Sequence, residues 1–236
     1  MLENLRAKTV KQENITDGVF ELEKNQPIQI CKQDNLFTAR LYEKNEQESC
    51  YIHSTFSDES SAVICKELCL NYLKNSKKVD LSYYYFSESV QAIVYLYDMK
   101  KTFAGIDVLI HLVEQWKSSI IDAKYCIEKT EKYTIDPAAD IHLGVITEDN
   151  DVERRNRELE AILHLTPPPQ KLPSYLKQQY QADHAIQISK AKILTGFDEG
   201  KVTIGGITYI YDIRTFNNKQ HDMYFNDGCL EAQAGG

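Results

Sequence analysis

The run Thr166-Pro167-Pro168-Pro169-Gln170-Lys171-Leu172-Pro173 constrains this chain more than any other segment. Proline lacks an amide donor and clashes with the preceding turn, so no helix continues through it. It must end the charged amphipathic helix predicted over 151–163, and it serves as a linker or rigid crossing. A short helix is expected at 174–180. The hydrophobic period then changes to two: 184–194 and 201–211 read as strands around the turn Thr195-Gly196-Phe197-Asp198-Glu199-Gly200. Helices over the first two thirds followed by strands predict the α+β class.

Upstream, Pro27–Ile30, Leu36–Tyr42 and Cys50–Phe56 read as strands within a separate N-terminal segment, 1–57, ahead of a main domain over 58–236. Asp58-Glu59-Ser60-Ser61 offers capping side chains. Cys65, Leu68, Cys69, Tyr72 and Leu73 then recur at helical spacing, predicting a helix that ends near Lys78. Residues 87–127 read as one or two helices with a break at Gly105.

Lys and Arg number 27 against 35 Asp and Glu, leaving a net charge of -8, and 42% of residues are hydrophobic. That apolar share supports a core and argues against disorder. The acidic balance, without a dense basic stripe, argues against nucleic acid as a partner. The N-terminus is polar, so no Sec signal is expected and the fold reads as cytoplasmic. The most apolar long stretch, Val90 to Trp116, contains Asp98, Lys100, Lys101 and Asp107, which would be costly in lipid, so no membrane span is expected. Cys31, Cys50, Cys65, Cys69, Cys126 and Cys229 form no CxxC and read as reduced thiols. Cys65-x3-Cys69 lacks a matching pair at zinc spacing, so neither a metal nor a cofactor is predicted. Asp136, Asp140, His142, Glu148, Asp149 and Asp151 lack the glycine and spacing of a calcium loop and read as a solvated acidic loop.

A nucleophilic cysteine needs a lowered thiol pKa, which the start of a helix supplies, and an imidazole oriented by a carboxylate. Cys65 follows the capping run and His184 opens the expected strand. The stretch Cys65-Lys66-Glu67-Leu68-Cys69-Leu70-Asn71-Tyr72-Leu73 together with His184-Ala185-Ile186 resembles papain-like cysteine peptidase effectors of the YopT/AvrPphB type. Val63 stands where that family carries glycine, and its motif after the histidine is not intact. The resemblance implies a papain-like fold, with a helical part carrying the cysteine packed on a C-terminal antiparallel sheet. It further implies a thiol hydrolase acting on a protein substrate, delivered into a host cell by a specialised secretion system. Cys65 would attack and His184 would carry the proton. Asp198 lies near the family's spacing for the third residue, whereas a hairpin centred on residue 198 would instead place Asp212 beside His184. Asp212 is the choice on geometry.

Three other readings stand beside this one. A papain-like deamidase or acyltransferase would use the same residues. A non-enzymatic interaction protein would keep Cys65 in its core. His53-Ser54-Thr55 and His164-Leu165-Thr166 resemble the paired motifs of two-histidine phosphoesterases. The terminal Gly235-Gly236 reads as a flexible end.

Overall fold

A computed structural model of the chain describes residues 8–9, 19–31, 36–42, 48–57, 59–68, 77–163, 174–216 and 219–232. Among these are thirteen strands and three α-helices. The strands are β1 (Lys8–Thr9), β2 (Val19–Glu21), β3 (Ile28–Cys31), β4 (Leu36–Tyr42), β5 (Ser49–Thr55), β6 (Ser61–Lys66), β7 (Leu81–Phe86), β8 (Ala92–Thr102), β9 (Ile141–Asp149), β10 (Lys201–Ile204), β11 (Ile207–Thr215), β12 (Gln220–Asn226) and β13 (Cys229–Leu230). The helices are α1 (Ile106–Glu128), α2 (Val152–Leu163) and α3 (Ser174–Ile193). The α+β class holds.

Two mixed sheets form, an eight-stranded one in the order β1-β3-β6-β7-β8-β9-β11-β10 and a five-stranded one in the order β13-β12-β5-β4-β2. The central strands of the eight-stranded sheet, β6, β7 and β8, are buried on both faces. Alternate side chains of its central strands meet different cores, as the strand period requires. On β8, Ala92, Val94 and Leu96 face a core shared with α1, whereas Tyr95, Tyr97 and Met99 face a second core shared with the five-stranded sheet. The first core is centred on Trp116 of α1, wholly buried beside Phe197 and Tyr211. The layers therefore run helices, large sheet, small sheet.

The expected strands at 27–30, 36–42 and 50–56 and the expected helix at 151–163 are present. They are not arranged as the sequence suggested. β3 pairs with β6, and β5 pairs with β12 from the far end of the chain, so the strands before residue 57 belong to both sheets rather than to a separate segment. The helix expected from Cys65 is corrected: residues 61–66 are strand, and the rest of that predicted helix, 69–76, lies outside the described residues. Ala62, Val63, Ile64 and Cys65 are all fully buried because both faces of β6 are covered. A run apolar on both faces has no period to distinguish strand from helix.

Two further corrections concern the papain-like arrangement. The helix expected over 87–127 begins only at Ile106, after β8, although Gly105 does mark its start, with φ 69°. His184 lies within α3, not on a strand. The alternation from 184 to 194 is built from Ala, Gln and Lys, which favour helix, and Ile186, Ile188 and Ile193 stand exposed rather than on one buried face. The hairpin turns at Gly205-Gly206, not at 195–200. Both glycines have positive φ, 60° and 82°, as the tight two-residue turn requires. Lys201 consequently pairs with Ile210, and Asp212 pairs with Gly144 of β9 instead of with residue 184.

Candidate functional site

Beyond Leu96, the helix-facing positions of β8 change from apolar to ionisable: Asp98 and Lys100 continue the stripe that Ala92, Val94 and Leu96 begin. β7 runs antiparallel to β8 with Leu81 opposite Tyr97, so the next residue out, Asp80, stands opposite Asp98. The two carboxylates brace each other's strands. The Asp80 amide donates to Asp98 Oδ1 at 3.2 Å, and the Met99 amide donates to Asp80 Oδ2 at 2.7 Å.

Helix α1 closes over this pair. Gln115 donates from Nε2 to Asp98 Oδ1 at 2.8 Å and to the Lys78 carbonyl at 2.8 Å, while its Oε1 accepts from Lys100 Nζ at 3.0 Å. Lys100 Nζ also pairs with Asp98 Oδ2. One amide thus fixes both members of an ion pair, because its Nε2 donates and its Oε1 accepts. The segment carrying Asp80 is pinned along the same helix. Val79 donates its amide to Ser119 Oγ at 3.1 Å, and buried Lys78 reaches Asp122 Oδ2 at 2.5 Å.

The electrostatics are unbalanced. If all three groups ionise, Asp80 and Asp98 carry two negative charges against one positive charge on Lys100. Burial raises the Asp80 carboxyl well above the usual carboxylate range, and the neighbouring Asp98 raises it further. Burial also raises Asp98, against the opposing pull of Lys100. Such a site accepts either a proton or a cation. Among the described residues no group of three or more His, Cys, Asp and Glu side chains converges to cage a metal. Asp80 and Asp98 are the residues that would hold a magnesium-like ion, which proteins commonly bind through one or two carboxylates.

The residues expected from sequence do not meet. Cys65 is fully buried on the helix-facing side of β6, opposite Ser82. Burial pushes its thiol well above the ordinary range, with Cys126 adding to the effect, which is the reverse of an activated nucleophile. His184 sits half-buried on α3. Asp212 faces the other side of the large sheet, where its Oδ2 accepts from Tyr97 Oη at 2.9 Å and Arg214 Nε at 2.6 Å. Asp198 is exposed in a 3₁₀ turn at Phe197–Glu199. Cys65 and Asp212 thus lie on opposite faces of the large sheet, and His184 lies on α3 rather than on a strand beside Asp212.

The remaining candidates also have other partners. His53 bonds Asp222 Oδ1 through Nε2 at 2.9 Å and Thr38 Oγ1 through Nδ1 at 3.1 Å, and its ring stacks on Tyr224. His164 lies outside the described residues. The expected acidic loop is corrected: His142, Glu148 and Asp149 lie on strand β9, while Asp140 accepts from the Asp136 amide at 2.6 Å and Asp151 from the Arg154 amide at 2.8 Å, so these two acids shape a turn and a helix start. Comparison with protein-family models, curated proteins and solved structures finds no match.

Proposed function

We propose that the chain is a divalent-cation-dependent phosphodiester hydrolase acting on nucleic acid, with Asp80 and Asp98 as cation ligands and Lys100 at the attacking water. The observation that carries this reading is the cross-strand opposition of Asp80 and Asp98, with Lys100 two residues along the same strand face and Gln115 bridging the pair. A divalent cation would reverse the local imbalance from one net negative charge to one net positive charge, favouring a phosphate.

When bound, such an ion supplies Lewis-acid polarisation of a phosphoryl oxygen and lowers the pKa of bound water. The chain's own groups do the rest. Asp98 on β8 and Asp80 just ahead of β7 would hold the ion, each fixed by a backbone amide of the neighbouring segment. Lys100, held by Gln115, presents an ammonium that orients the water and spreads the charge that grows at phosphorus. The water oxygen bonds to phosphorus as the bond to the leaving sugar oxygen breaks. One water proton passes to solvent and the leaving oxygen gains one.

The overall charge of -8 does not decide the partner, because phosphate contacts are local. Lys77 and Lys101 are exposed near the site's two strand ends. The test is cleavage of plasmid DNA, single-stranded DNA and RNA with Mg²⁺ or Mn²⁺, beside Asp80→Asn and Asp98→Asn. Cleavage of at least one substrate that needs the added ion and is lost in both variants is expected. Cleavage that survives in both variants, or no cleavage of any of the three polymers, would refute the reading.

A further inference from the structure

Outside the Asp80, Asp98, Lys100 and Gln115 set, one group on the same helix face has no role in the chemistry above. His111 lies one turn before Gln115 on α1, half-buried, and its Nδ1 is 2.9 Å from Lys77 Nζ. Lys77 also donates to Glu114 Oε2 at 3.0 Å. Both ends of that ion pair are open to solvent, at 51% and 56% side-chain exposure.

An ammonium can only donate, so Nδ1 of His111 must accept. The proton of the neutral ring is therefore on Nε2, because the bond at one imidazole nitrogen sets the state of the other. Burial lowers the ring's pKa first, and the charges of Lys77 and Lys100 lower it further, while Asp98 and Glu114 act in the opposite direction. The ring is thus neutral at pH 7 and lies within electrostatic range of Lys100 and Asp98. Its Nε2–H is a fixed donor, backed by a cation three residues ahead of Asp80.

Resting on the hydrolase reading, we infer that Lys77 and His111 form a phosphate clamp that binds a nucleic-acid phosphate beside the scissile one. Lys77 supplies the charge and sets the imidazole tautomer, and His111 supplies a directed hydrogen bond. Glu114 holds Lys77 against α1, fixing the ammonium at the rim. These are binding residues: neither touches the reacting atoms, so their loss weakens substrate capture and leaves turnover of bound substrate largely intact.

The experiment uses the full chain, a labelled substrate of the kind it cleaves, saturating Mg²⁺ or Mn²⁺ and a salt series. Lys77→Gln and His111→Leu should each raise KM about tenfold, with kcat within about threefold of the unaltered protein, and Lys77→Gln alone should reduce the salt slope of log kcat/KM by about one, because the neutral imidazole releases no counterion. His111→Gln, which keeps an N–H donor, should stay within about threefold of the original KM. Melting temperatures identify any variant that fails to fold, and Lys77→Gln, at an exposed position, stands as the test if His111→Leu does. An unchanged KM and salt slope in Lys77→Gln, or equal impairment in His111→Gln and folded His111→Leu, would overturn the clamp while leaving the hydrolase reading in place. If the unaltered protein cleaves nothing with either ion, the hydrolase reading falls and the clamp falls with it.

Discussion

Lys100→Met tests the site through stability as well as activity, because it removes the charge and keeps an aliphatic stem. Asp98 is fully buried and Lys100 has 19% side-chain exposure. Breaking a buried pair by removing one partner costs about 3–5 kcal/mol. The partial exposure of Lys100, and the freedom of Asp98 to take a proton, favour the lower end, about 3 kcal/mol. For a chain of this size that is a fall in Tm of about 6–12 °C. The loss must depend on pH. A carboxyl whose folded pKa lies above its unfolded value binds more protons when folded, so stability falls as pH rises from the unfolded value through the folded one. Asp98 is raised already, and the variant removes the lysine that opposes the shift. The Tm deficit should therefore be small near pH 5 and full at pH 8. A divalent cation should restore much of it, about 2.7 kcal/mol at a hundred times its Kd. Hydrolysis should still fall about a hundredfold or more, because no ammonium meets the developing charge. Differential scanning fluorimetry across pH and Mg²⁺, run beside the cleavage assay, measures all of this. A variant that melts within 2 °C of the original at pH 8 and ignores the ion would refute the reasoning.

Other substitutions separate chemistry from packing. Asp80→Asn should abolish cleavage while raising Tm at pH 8, since it removes the like charge opposite Asp98, and the gain should vanish near pH 4; unchanged activity would remove Asp80 from the site. Cys65→Ser should leave cleavage intact and lower stability by about 1–3 kcal/mol, the cost of burying a hydroxyl without an assured partner, as a urea titration would show; loss of activity in a folded protein would return the thiol to consideration. Gly144→Ala should destabilise by about 1–3 kcal/mol, because the added Cβ would lie 2.1 Å from the Tyr97 ring, and urea unfolding checks it.

Local chemistry determined several elements by itself. The acidic, polar-faced pattern of 151–163 gave a helix, the alternating runs at 36–42 and 50–56 gave strands, and Gly105 marked the start of α1. Elsewhere the period was ambiguous. Residues 62–65 are buried on both sides, and 184–194 alternate in a segment whose composition favours helix, so partners in space decided what the pattern could not. The site illustrates the same limit. Asp98 and Lys100 were legible as charges interrupting the most apolar stretch, which argued against a membrane span. Their spacing of two along a stripe of Ala92, Val94 and Leu96 was the signal that they end a buried strand face. Nothing local links them to Asp80 or Gln115. That link requires the antiparallel register of β7 on β8 and the packing of α1 across both, and such long-range contacts have no fixed separation in sequence. Cys65 shows the converse: its neighbours in sequence suggested an activated thiol, but two covered sheet faces place it where water, substrate and a base do not reach.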